Sequence, residues 1–355
     1  MNKTVRLTLA VSIIPQFFLV RLMALNPNWV EKYYSEGIYP YIGSFQRFLF
    51  GWLPFSAGDV FYTLIGFAIL RYLYLKGKNI WRKPMVFFTE LGISLSMVYF
   101  LFHFLWGLNY YRLPIHEKLG IEKEYNLEDL VNINTLLIER SNSLQLSLVK
   151  DSLQPVHIPY STKEMFAKTI EGYKKITKTN PFFKYNNPSL KTSLYSLGLT
   201  YMGYGGYLNP FTNEAQVNAK LPAIRQPTVS AHEIGHQLGY SSESATNFIG
   251  FLVSLQHNDP YFRYAANTHA LAYCLSDLKQ KDQQAFEKVW DQLNPGIKAN
   301  YQELSDFWTS YENVTEPVFK ALFNSYLKAN KQADGIYSYN KVVGLLINYQ
   351  KVHGI

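Results

Sequence analysis

Three long apolar runs near the N-terminus constrain the fold of this chain more than any other feature. They cover about residues 7–25, 56–75 and 85–108, and each is long enough to cross the ~30 Å hydrocarbon layer of a bilayer. A helix is the expected form, because every backbone polar group must then find its partner inside the segment. The sequence therefore predicts a membrane domain with three transmembrane helices over residues 1–108, followed by a second domain over residues 109–355.

Charge is distributed unevenly around these runs. Residues 1–108 hold 10 Lys and Arg against 4 Asp and Glu, whereas residues 109–355 hold 24 against 22. Lys3 and Arg6 precede the first run, and further basic residues crowd the connection at 76–84. Positive residues stay on the cytoplasmic side, so we expect the second domain on the outer side of a bacterial cytoplasmic (inner) membrane. The lipid bilayer is then a partner, and the basic excess gives no case for nucleic-acid binding.

A histidine motif in the second domain indicates a metal site. Residues 229–250 read VSAHEIGHQLGYSSESATNFIG, which contains His232-Glu233-x-x-His236. On a helix, positions i and i+4 share a face, so both imidazoles can reach one ion. Two histidines and a carboxylate are a ligand set of catalytic zinc sites. Glu233 is then placed to act as the general base, so we expect Zn²⁺ as the cofactor and Glu233 as the catalytic residue.

The third metal ligand has two candidates. Glu243 lies seven residues after His236, beyond a turn expected at Gly239, and it falls in the first turn of a helix if Ser241 or Ser242 is the cap. It is then either a zinc ligand or an acid that only complements the helix dipole. Asn247, one helical turn further on, could hydrogen-bond a ligand histidine. The rival ligand is Glu214.

A segment rich in glycine and tyrosine precedes the motif. Residues 192–220 contain few helix formers, so we expect short strands, with Gly205-Gly206 as a turn. An edge strand beside the metal helix could pair with an extended peptide. The candidate substrate-binding residues in this segment are Tyr204, Tyr207, Glu214 and Asn218. For any single tyrosine, packing in a twisted hairpin is the favoured alternative, because buried aromatic rings more often pack than take part in catalysis.

The rest of the second domain reads as helical. Residues 109–125 resemble a linker, and the segment between the first two apolar runs, 26–55, reads as a loop. Apolar spacing predicts a helix over 126–150, and a capping box at Ser161 and Glu164 predicts a helix that ends near Thr179. After residue 242 the chain reads as helical again, over roughly 243–257, 260–280, 282–293, 298–311, 315–330 and 338–353. His257 and His269 are not spaced as partners of the motif, so we expect both to be structural. Asp334-Gly335 predicts a turn, after which Tyr337 and Tyr339 could approach the site.

Several stretches together resemble a known family of bacterial membrane proteins. They are WGLNYYR at 106–112, PFTNEAQVN at 210–218, HEIGHQLGYSSE at 232–243, ATNF at 245–248 and FRYA at 262–265. That family is a domain of unknown function, and its HExxH motif groups it with zincin-like (gluzincin-type) metallopeptidases. The resemblance implies a zincin-like α+β catalytic domain. Family members often carry glutamate where this chain has Ala245, which leaves Glu243 as the acidic residue of the turn.

The sequence thus predicts an α+β, mainly α fold, with three transmembrane helices before a zincin-like domain that has a small edge sheet. The expected function is a membrane-anchored zinc metallopeptidase that hydrolyses peptide or protein substrates outside the cytoplasmic membrane. One alternative is an amidase that acts on cell-wall peptides. Another is a non-enzymatic membrane sensor or scaffold with a structural metal. The sequence says nothing of the oligomeric state.

Overall fold

The computed structural model describes residues 2–330 and 341–354. It is 72% helical with a small three-stranded sheet, which confirms a mainly α fold. The chain divides into two compact units, of which the first comprises Met1–Leu113 with Asn209–Glu214, and the second comprises Pro114–Leu208 with Ala215–Ile355. The predicted turn at Asp334-Gly335 and the two tyrosines that follow it lie outside the described residues.

The first unit contains the three predicted spans. Helices long and apolar enough to cross a membrane cover Lys3–Met23, Ala57–Lys76 and Pro84–Leu105. The helices of this unit are α1 Lys3–Val11, α2 Ile13–Met23, α3 Pro27–Trp29, a π-helix Val30–Ile38, α4 Tyr39–Phe50, α5 Ala57–Lys76, α6 Asn79–Arg82, α7 Pro84–Leu105 and a 3-10 helix Gly107–Tyr111.

Polar side chains within the spans have partners on neighbouring helices. Arg6 of α1 forms an ion pair with Glu90 of α7 at 3.0 Å, and the Tyr72 hydroxyl donates to the same carboxylate at 2.6 Å. The hydroxyls of Ser12 and Ser96 lie 2.7 Å apart. These pairs offset the cost of placing a carboxylate in an apolar segment.

The expectation of a loop over residues 26–55 is wrong, because α3, the π-helix and α4 fill most of it. Buried aromatic residues account for the difference. The Tyr34 hydroxyl donates to the Phe104 carbonyl at 2.8 Å, and Tyr39 is almost fully buried. Packing against the end of α7 thus decides the local structure, and the local sequence pattern could not predict this packing.

The segment 209–214 belongs to the first unit, although the sequence assigned it to the second domain. Asn213 donates to the Tyr39 hydroxyl at 3.0 Å and also bonds Arg47. The Gln46 amide donates to the Phe211 carbonyl at 2.9 Å. Buried polar side chains of α4 therefore hold this short connection, which explains why its contacts are with the first unit.

The second unit is built from helices around one apolar core. Its elements are α8 Ile115–Leu119, α9 Leu127–Val149, α10 Thr162–Ile176, a 3-10 helix Pro181–Phe183, β1 Leu190–Thr192, α11 Ser196–Tyr201, β2 Gly206–Asn209, β3 Glu214–Val217, a 3-10 helix Ala223–Arg225, α12 Gln226–Gln237, α13 Glu243–Leu255, α14 Pro260–Lys281, α15 Gln283–Trp290, α16 Pro295–Thr309, α17 Glu316–Ala329 and α18 Lys341–His353. Helix α14 packs on both α9 and α13. Leu137, Phe248 and Leu271 are among the fully buried core residues.

The segment 192–220 is only partly extended. The sheet has the order β1-β3-β2, and β1 runs parallel to β3 with Leu190 opposite Ala215. Residues 210–213 join β2 to β3, a connection too short for a parallel crossover, so these two strands form a hairpin. The prediction of strands is wrong for Ser196–Tyr201, which forms α11 instead, because burial of Leu199 outweighs the weak helix propensity of the segment.

Candidate metal centre

Helix α12 carries both histidines of the HExxH motif on one face. It begins at Gln226 directly after a 3-10 helix, and Pro227 lies in its first turn, where its missing N–H leaves no hydrogen bond unmade. The chain leaves the helix at Gly239, whose φ of 84° is left-handed. Glycine adopts this conformation readily, so the predicted turn forms there and the chain reverses.

Helix α13 then brings Glu243 back to α12. Ser242 is the N-cap residue and Glu243 is the first residue of the helix. The two helices approach closely because one glycine on each lies at the crossing. A Cβ on Gly235 would lie 3.1 Å from the Thr246 side chain, and one on Gly250 would lie 2.7 Å from a backbone carbonyl oxygen of α12. Larger residues at these positions would push α13, and Glu243 with it, away from the histidines.

The ligand atoms that result have the spacing of a metal site. Oε2 of Glu243 lies 3.4 Å from Nε2 of His232, and Oε1 lies 3.7 Å from Nε2 of His236. Ligand atoms at 2.0–2.2 Å from a tetrahedral Zn²⁺ lie about 3.3–3.6 Å from one another. Both distances are therefore close to the spacing of two ligand atoms on one zinc ion.

Glu233 is the other carboxylate near the histidines. One potential ligand atom from each of His232, Glu233 and His236 lies within 4.8 Å of the others. By distance alone, Glu233 is thus a competing third ligand. Helix geometry favours Glu243, since a residue next to His232 points about 100° away from it around the axis. Glu243 is therefore the better candidate for the third ligand, with Glu233 beside it.

Each histidine is held through its Nδ1 atom, which turns Nε2 toward Glu243. Nδ1 of His236 donates to the Tyr240 carbonyl at 2.7 Å, and Nδ1 of His232 lies 2.9 Å from Oδ1 of Asn247. A histidine that donates from Nδ1 to an oxygen keeps a lone pair on Nε2. This is the tautomer that binds metal through Nε2, with its orientation fixed by the other nitrogen.

The electrostatics of the cluster favour one bound positive charge. Burial lowers the pKa of His236 to about 4, so this imidazole is neutral at neutral pH. Burial disfavours ionised Glu243, but the hydrogen bond with His232 and the two nearby imidazoles hold its pKa below its ordinary value. Burial also disfavours protonated His232, yet Glu243 and Glu233 raise its pKa overall. The negative charges of Glu243 and Glu233 therefore favour a positive charge beside His232.

Glu233 is buried beside this cluster with part of its carboxylate unbonded. Glu233 is only 4% exposed, and its Oε2 atom has no hydrogen-bond partner among residues 2–330 and 341–354. Burial raises the pKa of Glu233 to about 8, which the charge of His232 opposes and that of Glu243 reinforces. A buried carboxylate oxygen without a partner is costly, and a water molecule or an ion at the centre would relieve that cost.

Gly206, on strand β2, covers Glu233. A Cβ on this residue would lie 2.6 Å from Oε1 of Glu233 and 2.5 Å from the Gln216 carbonyl oxygen. The neighbouring Gly205 approaches Val229 in the same way, at 3.3 Å. The prediction of a turn at Gly205-Gly206 is wrong for Gly206, which begins β2, and the pair instead allows the backbone to approach α12 closely. The double glycine, about twenty residues before α12, was the only sequence signal for this close approach.

The candidate substrate-binding residues Tyr204, Tyr207 and Asn218 each lie in a different environment. The Tyr204 hydroxyl donates to the Phe319 carbonyl at 3.2 Å, and burial together with the charge of Glu243 raises its pKa. Tyr207 lies half-buried on β2. The buried Asn218 amide donates to the Thr200 hydroxyl at 2.9 Å and to a backbone carbonyl. Asn218 thus secures the loop after β3, and a contact of these residues with substrate stays a prediction.

The carboxylate of Glu214 accepts hydrogen bonds at the N-terminus of α5, in the first unit. It accepts hydrogen bonds from the backbone N–H groups of Gly58 at 2.6 Å and Ala57 at 3.2 Å, and from the Thr212 hydroxyl at 2.9 Å. An anion is favourable at this end of the helix dipole. These hydrogen bonds explain why the Glu214 carboxylate is buried. The carboxylate that lies within 4 Å of both histidines is that of Glu243.

The two remaining histidines differ in their environments. Nδ1 of His257 accepts a hydrogen bond from the Asp259 backbone at 3.0 Å, as a structural histidine would. His269 is buried, and its Nε2 has no partner in the described part of the chain. Burial, with the charges of Arg225 and His232 nearby, holds its pKa well below the ordinary value. Nothing in the sequence predicts that Arg225 and His232 act on His269, because their proximity depends on how α14 packs on α12.

Fold and site together define a mainly helical chain with three helices suited to cross a membrane and a His–His–Glu cluster suited to hold a metal ion. The chain belongs to the family described as "Protein of unknown function (DUF3810)", which matches residues 34–347. This confirms the resemblance to a family of unknown function, which the sequence motifs indicated. No curated protein matches the chain, and no solved structure matches it.

Proposed function

We propose that this chain is a membrane-anchored zinc metallopeptidase with a zincin-like catalytic unit outside the cytoplasmic membrane. The observation that carries the proposal is the position of Glu243 beside both histidines. Its carboxylate oxygens lie 3.4 Å from Nε2 of His232 and 3.7 Å from Nε2 of His236. His232, His236 and Glu243 would hold the zinc. When bound there, Zn²⁺ would polarise the scissile carbonyl and make a water molecule more acidic.

Glu233 supplies the proton transfers of this reaction. Its carboxylate takes a proton from the attacking water, whose oxygen bonds to the carbonyl carbon, and it then gives that proton to the amine nitrogen as the C–N bond breaks. Burial raises the pKa of Glu233 to about 8 in the metal-free site. A divalent cation nearby lowers such a pKa, which brings the group into the range where it acts as a base near neutral pH.

The burial of Glu233 also weighs against a purely structural metal. A structural zinc site needs only its ligands, and four of them are usual. Here three candidate ligands lie together, and a further carboxylate lies buried next to them with one oxygen that has no hydrogen-bond partner among residues 2–330 and 341–354. An isolated buried carboxylate destabilises a fold, so its presence beside the ligands supports a chemical role over a sensor or scaffold.

Cleavage of a peptide mixture by the purified full-length chain tests the proposal. The mixture contains linear peptides and cell-wall peptide fragments, and products are identified by mass spectrometry. We expect cleavage by the wild type, a loss of about 10²- to 10⁴-fold in Glu233→Gln, and none in His232→Ala. Cleavage confined to the cell-wall fragments would favour the amidase, and equal cleavage by Glu233→Gln would refute the mechanism.

The location of the catalytic unit rests on the basic residues around the spans. Lys3, Arg6 and the basic connection at 76–84 would face the cytoplasm, and three crossings place the following residues outside. A reporter enzyme fused after residue 355 should be active only outside the cytoplasm. Cytoplasmic activity would reverse the orientation.

A further inference from the structure

Exposed apolar side chains of the second unit are concentrated in two neighbouring stretches. Among the described residues of this unit, thirteen large apolar side chains are exposed, and nine of them lie within residues 194–201 and 314–326. The two stretches comprise α11 and the greater part of α17, with the residues just before each helix. Single exposed apolar side chains are ordinary, whereas a concentration of this kind marks a surface that another molecule covers.

Helix α17 exposes one apolar face. Val318, Leu322 and Tyr326 are spaced by four residues, which places them within about 80° of one another around the helix axis. Their exposed fractions are 58%, 63% and 42%. Phe323, about 100° from Leu322, instead packs its ring on Tyr204, with the ring centroids 5.4 Å apart. The helix is therefore held to the unit by one apolar side, and the neighbouring apolar side is left exposed.

The charged residues of α17 lie away from this face. Lys320 and Lys328 are at least about 120° from Leu322 around the helix axis, and Lys320 forms an ion pair with Glu316, one turn before it, at 2.5 Å. An apolar face of valine, leucine and tyrosine with lysines on the other side is typical of a helix that lies in the plane of a membrane interface. Tyrosine suits that depth, because its ring is apolar and its hydroxyl is polar.

Helix α11 extends the same apolar surface. Leu197 and Tyr201 are one helical turn apart, and both are exposed. The Asn313 amide donates to the Tyr201 carbonyl at 2.7 Å, and its Oδ1 atom accepts from two backbone N–H groups at the start of α17. Asn313 thus joins the end of α11 to the start of α17, and its neighbour Val314 is 93% exposed. We define the α11–α17 surface by its exposed residues Leu197, Tyr201, Val314, Val318, Leu322 and Tyr326.

The rest of the chain indicates what covers this surface. Three helices suited to cross a membrane precede the second unit, and the last of them ends at Leu105, shortly before that unit begins at Pro114. The chain therefore tethers the unit to a bilayer, and a tethered surface meets its target at a high effective concentration. The α11–α17 surface also lacks tryptophan, methionine and arginine, which are enriched where proteins bind one another. A bilayer fits this surface better than a protein partner does.

We propose that the α11–α17 surface rests on the lipid bilayer, with Leu197, Val318 and Leu322 inserted between the headgroups and the acyl chains. Helices of this kind bury their apolar face about 5–10 Å into that boundary. The contact holds Tyr204, a candidate substrate-binding residue whose ring packs on Phe323, close to the membrane surface. The inference concerns lipid contact alone, so it stands or falls independently of the proposed peptidase function.

Quenching of a fluorescent label by modified lipids tests this contact. The full-length chain is placed in phosphatidylcholine nanodiscs, and a single introduced cysteine carries the label. The natural cysteine, Cys274, is buried and should stay unlabelled, which the unsubstituted chain verifies. Leu322→Cys is compared with Leu153→Cys, a matched control outside the surface, because the two leucines are 63% and 64% exposed. Lipids brominated near the headgroup end of the acyl chain should quench the label at residue 322 severalfold more strongly than the label at residue 153. Iodide in the water should show the reverse order.

Two further comparisons test whether the surface acts as one unit. Leu197→Cys, on α11, should be quenched by the brominated lipids as Leu322→Cys is. In labelled Val318→Cys, adding Leu322→Asp should lower lipid quenching severalfold, because a charge in the apolar face resists burial among acyl chains. Asn324→Asp adds the same charge about 160° from Leu322 around the helix, and it should leave the quenching unchanged. Because Leu322 is exposed, its substitution leaves the core of the unit intact.

Each other outcome overturns the proposal. Quenching by iodide alone at residues 197 and 322 would show a surface that faces water. Protection of both positions from lipid and from iodide would show that protein covers the surface. Equal lipid quenching at residues 153 and 322, or lipid quenching that survives Leu322→Asp, would attribute the lipid contact to the label instead of the α11–α17 surface. The measurement needs neither zinc nor turnover, so its failure leaves the candidate metal centre unaffected.

Discussion

Nδ1 of His232 and Oδ1 of Asn247 lie 2.9 Å apart, although fifteen residues separate them in the chain. Asn247 stands on the second turn of α13, one turn after Glu243, so the same helix supplies a candidate ligand and the group that orients a ligand. Such a contact fixes the imidazole plane and directs Nε2 to the metal. The close crossing of α12 and α13 is therefore as important to the centre as the HExxH motif.

Asn247→Ala removes the contact to His232 without touching a proposed ligand. We expect zinc affinity to fall about 10- to 100-fold, because groups that orient metal ligands contribute on that scale. Competition with a chelating dye measures the change. Asn258→Ala, at an exposed position just after the same helix, is the control and should leave zinc affinity unaltered. Equal affinities for the two variants would show that Asn247 does not orient a ligand.

Glu243→Gln and Glu214→Gln separate the two candidates for the third ligand. Glu243→Gln should lower zinc affinity by more than about 100-fold, since a lost ligand outweighs a lost orienting contact. Glu214→Gln should leave zinc affinity intact but reduce the thermal midpoint, because it removes a negative charge from the N-terminus of α5. The reverse pattern, with zinc lost from the Glu214 variant alone, would reverse the assignment.

Gly206→Ala tests the close contact between β2 and Glu233. The added Cβ would lie 2.5 and 2.6 Å from two oxygen atoms, so the strand or the glutamate must shift. Overpacking of this kind typically costs about 1–3 kcal/mol, and we expect a lower thermal midpoint. Gly198→Ala is the matched control, since a Cβ there meets nothing within 4 Å and the position is helical. A Gly206→Ala midpoint equal to that of the control would contradict the contact.

Local chemistry predicted much of the candidate centre. The turn at Gly239 follows from the ease with which glycine adopts a left-handed backbone. Ser242 is the N-cap residue, as one of the two expected positions, although its side chain makes no capping hydrogen bond, and Glu243 follows it in the first helical turn. The three apolar spans follow from length and composition.

Contacts distant in sequence could not be predicted in the same way. The helices between the first two spans form because Tyr34 and Tyr39 are buried against partners far along the chain. Gly205-Gly206 has the composition of a turn, and only the position of α12 makes it a site of close approach. Arg225 reads as an ordinary residue before a helix, and its place beside His269 depends on the packing of α14.

The raised pKa of Glu233 gives metal-free protein a defined pH dependence. The folded-state pKa of about 8 lies above the ordinary value of 4.5, so between these pH values the unfolded chain loses a proton that the folded chain retains. Stability therefore falls as pH rises across that window. Glutamine does not ionise, so the thermal midpoint of Glu233→Gln should exceed that of the wild type by a margin that grows from about pH 5 to about pH 8. In chelator-treated samples, a constant or shrinking margin would contradict a buried, destabilised carboxylate.

The metal content of the purified full-length chain tests the central claim most directly. Elemental analysis after zinc loading and removal of free metal should find about one zinc per chain in the wild type and in Glu233→Gln, since His232, His236 and Glu243 remain in both. His232→Ala should retain almost none. Equal zinc in His232→Ala and the wild type, or none in the wild type, would show that the histidine cluster is not a zinc site.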